Sequence, residues 1–314
     1  NHAEQDHSGL IPKVLEMYPD AEVVCSEKAK TFLIDLLHVS EDKFKVVEDG
    51  DVLSLGDKTF EFIFAPWVHW PETILTYLKE DRVLFSCDLF GSHLASSKLF
   101  ACCDAELYDG AKRYYAEIMM PFRKLIQKHL ERVREYAIDY IATSHGPIYE
   151  NPDFIIEAYE DWTSEKVKPH VLLPYVSMHG STQVMVDHLI RALEERGVEV
   201  KPFHLTSSDI GEIATALVDA ATVIIATPTV LAGAHPAALN IAYLTRVLRP
   251  KTKFFGIIGS YGWGGQTVEQ IKDMLKTSGA EILEPVLVKG LPKKDDLKEL
   301  DRLAEIIIKK HKTI

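Results

Sequence analysis

The second half of the sequence alternates apolar strand-like runs with amphipathic helix-like segments, and this alternation constrains the fold more than any other feature. The strand-like runs are 171–176, 199–204, 222–227, 253–259 and 284–289. The segments between them have lengths suited to right-handed crossovers, which place successive strands parallel in one sheet. Residues 168–314 are therefore predicted to form a doubly wound, five-stranded parallel sheet of the α/β class.

The first half has a different texture. Short β-branched or aromatic runs such as "FKVV", "TFEFIFA" and "RVLFSC" are separated by turns rich in Asp, Gly and Lys up to about residue 95. Helical periodicity is confined to about 9–18, 26–37 and 111–137, and Pro121 is expected to break the last of these helices. Residues 1–165 are predicted to form a mixed α+β domain, and a polar linker around 164–168 marks the boundary.

Composition excludes several classes of function. The formal net charge of -12 argues against a nucleic-acid surface, which needs clustered Lys and Arg. No apolar run approaches the roughly 20 residues that span a bilayer, and no signal peptide is evident, so a cytoplasmic protein without membrane contact is expected. The four cysteines form no C-x-x-C pair, so a rubredoxin-like or zinc-ribbon partner has to be another chain.

The opening stretch "NHAEQDH" concentrates side chains that bind metals. His2, Glu4, Asp6 and His7 lie within six positions. On a strand-to-loop turn, an H-x-E-x-D-H pattern would point alternate side chains into one concavity, which suits a metal with nitrogen and oxygen ligands. Two metals would need more ligands than these four.

Three further polar residues follow apolar strand-like runs and precede turns that contain Gly or Pro. They are His69, Asp88 and His145. Each is expected to project from a sheet edge. A single histidine such as His69 is more often a surface or core residue, and Asp88 could form a turn. Solvated turns are a poor explanation for all seven residues together, which favours a metal site.

Three loops of the second half are candidates for a phosphate-containing ligand. The first loop follows the first strand and comprises Ser177, Met178, His179, Gly180, Ser181 and Thr182. Its backbone N–H groups and the following helix N-terminus could hold a phosphate, although a plain helix cap with a turn explains it equally well. The later loops follow the third and fourth strands and comprise Pro228, Thr229, Val230, Leu231, Ala232 and Gly233, and Ser260, Tyr261, Gly262, Trp263, Gly264 and Gly265.

The seven metal-type residues resemble the di-iron site of the flavodiiron proteins, which is built on a metallo-β-lactamase-like αββα sandwich. The three loops resemble the flavin mononucleotide (FMN) site of flavodoxins, in which glycines let the backbone approach the ring and Trp263 or Tyr261 could stack on it. A glycine-rich turn with an exposed aromatic is the alternative. Val230 stands where many relatives carry a bulkier aromatic residue. The resemblance extends from residue 1 to about residue 312.

The resemblance implies a role for each metal-type residue. His2, Glu4 and His69 would hold one iron, Asp6, His7 and His145 would hold the other, and Asp88 would bridge them. Zinc hydrolases of the wider superfamily usually carry His at the position of Glu4, and a carboxylate there favours iron. Family members have strands before the opening motif, so an N-terminally incomplete sandwich is expected.

The resemblance also implies an oxidoreductase that reduces dioxygen to water and/or nitric oxide to nitrous oxide, with FMN and two iron ions as cofactors. The expected partners are an external electron donor, either rubredoxin or a reduced deazaflavin coenzyme, and further copies of the chain in a head-to-tail homodimer or tetramer. Two alternatives stay open: a zinc-dependent hydrolase fused to a flavodoxin module, and a non-catalytic flavin electron carrier.

Overall fold

The structure is a computed structural model that describes residues 1–314 apart from the side chain of residue 277. The chain divides into two compact units, Asn1–Ser164 and Glu165–Ile314. Each unit has its own sheet and buried side chains. The first unit has mixed sheet pairing and the second a mainly parallel sheet, as predicted for each half.

The first unit contains a five-stranded sheet and a two-stranded sheet. Its strands are β1 (Val23–Cys25), β2 (Phe44–Val46), β3 (Val52–Ser54), β4 (Thr59–Phe64), β5 (Ile74–Leu78), β6 (Val83–Cys87) and β7 (Tyr140–Thr143). The larger sheet has the order β3-β4-β5-β6-β7, while β1 and β2 pair in parallel. Strand β5 is buried at its first four residues because it lies at the centre of the larger sheet.

Six α-helices belong to this unit. They are α1 (Gln5–Ser8), α2 (Ile11–Met17), α3 (Glu27–Leu37), α4 (Ala105–Tyr114), α5 (Arg123–Val133) and α6 (Pro152–Thr163). The helix predicted over 111–137 is interrupted, as expected from Pro121, by a π-helical turn at Tyr115–Met119 and a 3-10 turn at Met120–Phe122. Pro121 has no N–H to donate, so a regular helix cannot continue through it.

The second unit is a parallel sheet with one small antiparallel addition. Its strands are β8 (Lys168–Tyr175), β9 (Val200–His204), β10 (Ala220–Val230), β11 (Gly233–Ala234), β12 (Phe254–Tyr261), β13 (Glu281–Ile282) and β14 (Val286–Lys289). The order is β13-β12-β10-β8-β9, with β11 beside β10 and β14 beside β12.

The five predicted strand positions are all present, and the sheet contains two further short strands. The fifth strand position is divided, because β13 pairs with the start of β12 and β14 pairs with its end. Strand β11 adds a two-residue antiparallel pairing to β10. The order of the five main positions nevertheless agrees with a doubly wound sheet.

The helices of the second unit flank its sheet. They are α7 (Ser181–Glu194), α8 (Ile210–Leu217), α9 (Pro236–Leu248), α10 (Thr267–Leu275) and α11 (Lys294–His311). The central strands β8, β10 and β12 are almost continuously buried, as expected for parallel strands covered on both faces. The carboxyl ends of these strands lie at one edge of the sheet, which is where such folds bind ligands. Among the described residues, no helix is long and apolar enough to cross a membrane.

Candidate metal centre and flavin site

Three strand ends of the first unit meet at one edge of the larger sheet. Strands β4 and β6 both run antiparallel to β5, and β7 is parallel to β6, so the carboxyl ends of β4, β6 and β7 point the same way. His69 lies in the loop after β4, Asp88 directly follows β6, and His145 lies two residues after β7. The sheet topology therefore brings these three side chains together.

The opening motif reaches the same place with a backbone different from the predicted one. The residues up to Glu4 are extended, but Gln5–Ser8 forms the short helix α1, so Asp6 and His7 do not lie on a strand-to-loop turn. The hydroxyl of Ser8 donates to the Ala3 carbonyl oxygen at 2.7 Å, which stabilises this turn of helix. The change from extended to helical backbone turns the side chains of both stretches towards Asp88.

The two carboxylate oxygens of Asp88 divide the cluster into two halves. The first half comprises His2, Glu4 and His69. The Nε2 atoms of His2 and His69 lie 3.3 and 3.4 Å from Asp88 Oδ2. Glu4 Oε2 lies 3.1 Å from the Nε2 of His2 and 3.3 Å from that of His69.

The second half comprises Asp6, His7 and His145. The Nε2 atoms of His7 and His145 lie 3.1 and 3.2 Å from Asp88 Oδ1. Asp6 Oδ2 lies 3.4 Å from both of these nitrogens. The structure thus brings together all seven of the candidate ligands, arranged as two similar groups that share Asp88.

These donor atoms fit two metal ions. Ligands held at about 2.1 Å from one cation are separated from each other by about 3.0–3.4 Å in octahedral or tetrahedral geometry, and the measured separations are of this size. Three buried atoms, His7 Nε2 and both carboxylate oxygens of Asp88, make no hydrogen bond of regular geometry with the described residues. Groups of this kind are costly to bury unless they bind a partner such as a metal.

Electrostatics of the cluster support the same conclusion. Burial opposes ionisation of Asp88, but the close imidazoles of His69 and His7 outweigh it and lower the pKa of this carboxyl. The close contact with the Asp88 carboxylate in turn raises the pKa of His7 to about 10. The buried Asp88 carboxylate is therefore stabilised by nearby positive charge. Protonated histidines can supply this charge, and metal cations would supply it in their place.

Four residues beside the cluster were not identified from the sequence. Glu72 accepts a hydrogen bond from His2 Nδ1 at 2.7 Å, and the indole of Trp70 packs edge-on against the His2 ring. Tyr114 packs against the His145 ring, with 5.8 Å between ring centroids. Cys87 is buried next to Asp88. The sequence signal that could have found Glu72 is the acidic residue three positions after the candidate ligand His69, in "HWPE".

The second unit has a cavity of about 250 Å³ at the carboxyl ends of its central strands. It is lined by Ser177, Met178, His179, Ser181, Thr182, Pro228, Thr229, Val230, Ser260, Tyr261, Gly262 and Gly290. All three loops selected from the sequence contribute to this lining, and Gly290, which follows β14, was missed. The remaining candidates do not line the cavity: Gly180, Leu231, Ala232, Gly233, Trp263, Gly264 and Gly265.

The first loop is built to receive an anion. Helix α7 begins at Ser181, after Gly180 with a left-handed φ of 87°, and its free N–H groups face the cavity end of β8. Ser177 Oγ accepts a hydrogen bond from Gln183 N at 3.2 Å, and the buried hydroxyls of Thr182 and Ser260 lie 3.1 Å apart. Hydroxyls and backbone donors at a helix N-terminus fit the phosphate of FMN.

The two later loops are tied to each other. The hydroxyls of Thr229 and Thr267 lie 2.8 Å apart, and the N–H of Gln266 donates to the Ala232 carbonyl oxygen at 2.8 Å. Leu231 is 93% exposed and Trp263 is 71% exposed, which places two large apolar side chains at the surface of these loops. The two loops are therefore joined to each other, and they expose two large apolar side chains beside the cavity rather than in its lining.

Comparisons with known proteins were made for both units. Residues 1–146 match the ODP family beta lactamase description, and residues 173–302 match the flavodoxin description. The chain is 36% identical over 314 residues to a nitric oxide reductase of Moorella thermoacetica, covering 98% of this chain and 79% of that protein. It is 33% identical over 314 residues to a coenzyme F420H2 oxidase of Methanothermobacter marburgensis, and the match covers 95% of this chain and 76% of that protein.

A solved structure gives the same result. Rubredoxin oxygen:oxidoreductase from Desulfovibrio gigas superimposes with a TM-score of 0.95 at 28% identity, covering 99% of this chain and 80% of that one. The fold and the site define a protein with a lactamase-like metal-binding unit and a flavodoxin-like unit. The chain belongs to the flavodiiron protein family, whose cofactors are FMN and a non-haem di-iron centre.

Proposed function

We propose that the chain reduces dioxygen to water and/or nitric oxide to nitrous oxide at two iron ions that receive electrons from FMN. The observation that carries this proposal is the pair of similar donor groups on the two oxygens of Asp88. The names of the relatives, a nitric oxide reductase, an F420H2 oxidase and an oxygen:oxidoreductase, support the same chemistry.

The metal ligands in this proposal are the seven residues of the cluster. His2, Glu4 and His69 would hold one iron, Asp6, His7 and His145 would hold the other, and Asp88 would be shared by both. Glu4 contributes a hard oxygen donor and a negative charge, which suit iron that cycles between ferrous and ferric states. This argues against a zinc hydrolase, because zinc has no redox chemistry and gains nothing from the exchange of imidazole for carboxylate.

When bound, the cofactors would supply four electrons, two from a diferrous pair and two from reduced FMN. Four electrons reduce dioxygen completely to water, so no partly reduced oxygen species has to be released. The protein side chains control access to the site and hold a proton beside it. The side chain of Glu4 is 37% exposed and that of Asp6 is 51% exposed, whereas that of Asp88 is 1% exposed, so substrate approaches from the side of Glu4 and Asp6. Burial and the charge of Asp88 raise the pKa of Tyr114, which therefore keeps its phenolic proton beside the cluster.

The flavin site in this proposal uses the three loops of the second unit. The loop Ser177–Thr182 holds the phosphate, and the loops 228–233 and 260–265 flank the ring. Glycine at position 265 is required because a Cβ there would lie 2.6 Å from Thr229 Cγ2. The functional domains are accordingly proposed as 1–165 for the irons and 168–314 for FMN.

The proposed partners are an electron donor and further copies of the chain. Electrons arrive from a separate donor, either rubredoxin or a reduced deazaflavin coenzyme, since the relatives include proteins named for each. We further propose that the chain assembles head to tail as a homodimer or tetramer, so that the flavin of one copy serves the irons of another. The location is proposed to be the cytoplasm.

The test is gas consumption by the chain loaded anaerobically with iron and FMN, with the flavin reduced photochemically. Consumption of dioxygen or nitric oxide that requires both cofactors is expected. The matched variant is Glu4→His, which restores the donor usual in zinc hydrolases and should lower both iron content and gas consumption. Turnover of an ester or amide by the zinc-loaded chain, without gas consumption by the iron-loaded chain, would contradict the proposal.

A further inference from the structure

The two halves of the metal cluster have the same types of donor atom but different surroundings. Each half has two imidazole nitrogens, one carboxylate of its own and one oxygen of Asp88. A difference in metal affinity between the halves therefore has to come from burial and from the groups that contact the ligands.

The first half is the more buried. The side chain of His2 is 0% exposed and that of His69 is 18% exposed, whereas His7 is 13% exposed and His145 is 37% exposed. Lower exposure reduces competition from water and strengthens the attraction between a cation and its carboxylate ligands. Burial alone thus favours the first half.

A buried carboxylate also stands behind the first half. The side chain of Glu72 is 0% exposed, and its Oε1 accepts hydrogen bonds from His2 Nδ1 at 2.7 Å and from the Ala3 N–H at 2.9 Å. The Ser26 hydroxyl donates to the Glu72 carbonyl oxygen at 2.9 Å, which fixes the backbone of this residue. Glu72 therefore holds the His2 ring with Nε2 directed at the cluster.

The second half has a weaker counterpart at the corresponding position. His7 Nδ1 lies 4.0 Å from the sulfur of Cys87, which is a buried thiol. A thiol is a weak acceptor and carries no charge when protonated, so it adds little electron density to the imidazole. The carboxylate of Glu72 has no equivalent behind His7.

We propose that Glu72 is a positioning residue that makes the first half the tighter metal position, so that a divalent cation fills it before the second half. A carboxylate that accepts the Nδ1–H of a ligating histidine makes Nε2 more basic and adds negative charge near the metal. Loss of such a partner typically lowers metal affinity about 10- to 100-fold. This inference rests on the proposed two-metal site.

The test is an anaerobic titration of the metal-free full chain with ferrous or cobaltous ion, followed by calorimetry and, for cobalt, by its absorption bands. The unchanged chain should bind two ions in two separable steps. Glu72→Gln keeps the size of the side chain but removes its charge, and should weaken the first step about 10- to 100-fold while the second step is retained. Cys87→Ser is the matched control and should leave the first step unchanged.

Two ligand variants assign the steps, since His2→Ala should remove the first step and His7→Ala the second. A single step in the unchanged chain, or an equal effect of Glu72→Gln on both steps, overturns the inference and leaves the two-metal function intact. Binding of fewer than two ions by the unchanged chain overturns the proposed function as well. If Glu72→Gln fails to fold without metal, Glu72→Asp is the second variant, because it retains the negative charge. Glu72→Asp is expected to fill the first half before the second. The reverse order of filling overturns the inference.

Discussion

Replacement of His170 should make the second unit more resistant to acid. This histidine lies on strand β8 and is 4% exposed, and burial together with the charge of Lys201 lowers its pKa to about 4. In the unfolded chain the pKa returns to 6.5. The folded state takes up the proton on His170 less readily than the unfolded state does. The contribution of His170 to the free energy of unfolding is therefore complete above about pH 6.5 and is lost as the pH falls towards 4.

The size of the effect follows from these two pKa values. The full difference corresponds to about 3 kcal/mol in the free energy of unfolding, of which about 2.5 kcal/mol is lost between roughly pH 7.5 and pH 4.5. His170→Gln removes the titrating group. Between these two pH values, the free energy of unfolding of the variant should therefore fall by about 2.5 kcal/mol less than that of the unchanged chain.

The assay is a urea series on the full chain, with hydrogen exchange pulse-labelling at one fixed pH and mass spectrometry of peptides from 168–175, which report on the second unit alone. The matched control is His188→Gln, which makes the same substitution at a partly exposed histidine on helix α7 of the same unit. Equal pH dependence in His170→Gln and in the unchanged chain would refute the argument that His170 is held neutral by burial.

Three further predictions concern the cofactor sites. Gly265→Ala should weaken FMN binding about tenfold or more, measured by quenching of flavin fluorescence, because the new methyl group would lie 2.6 Å from Thr229 Cγ2; unchanged affinity would contradict this. Asp88→Asn should lower the iron content from about two ions per chain to below about one, measured by metal analysis, because both halves lose their shared anion. Thr182→Val should weaken FMN binding about three- to tenfold in the same fluorescence assay, because buried Ser260 loses its hydroxyl partner.

Much of the fold was predictable because local periodicity and topology agree. The strands of the second unit are continuous apolar runs with helices between them, and parallel order follows from crossover geometry. The division of the fifth strand into β13 and β14 was missed, because the predicted run 284–289 begins within the three residues that separate them, Leu283, Glu284 and Pro285. Such an interruption depends on pairing with β12, which local sequence does not encode.

The site was predictable to the level of residue type and strand end. His69, Asp88 and His145 follow strands, and topology brings strand ends to a common edge. The helix at Gln5–Ser8 was missed because four residues are too short for a periodic signal. Glu72 was missed because its role depends on a contact with His2, 70 positions away in sequence.

The loops of the flavin site show the same limit. Positions that follow β8, β10 and β12 could be selected from strand ends alone, and residues from all three loops line the cavity. Which residues face the cavity depends on local backbone: Leu231 and Ala232 adopt left-handed φ values of 50° and 63°, and this turn leaves Leu231 outside the lining. A left-handed backbone could not be predicted at these two positions, because neither residue is a glycine.

The central claim is that the cluster around Asp88 binds two irons, and the most direct measurement is quantitative metal analysis of the protein purified without air from cells grown with both iron and zinc. The account predicts about two irons per chain and little zinc. Zinc at both positions, persisting after growth in excess iron, would contradict the argument from Glu4 and would favour a zinc-dependent hydrolase over the iron-dependent reductase.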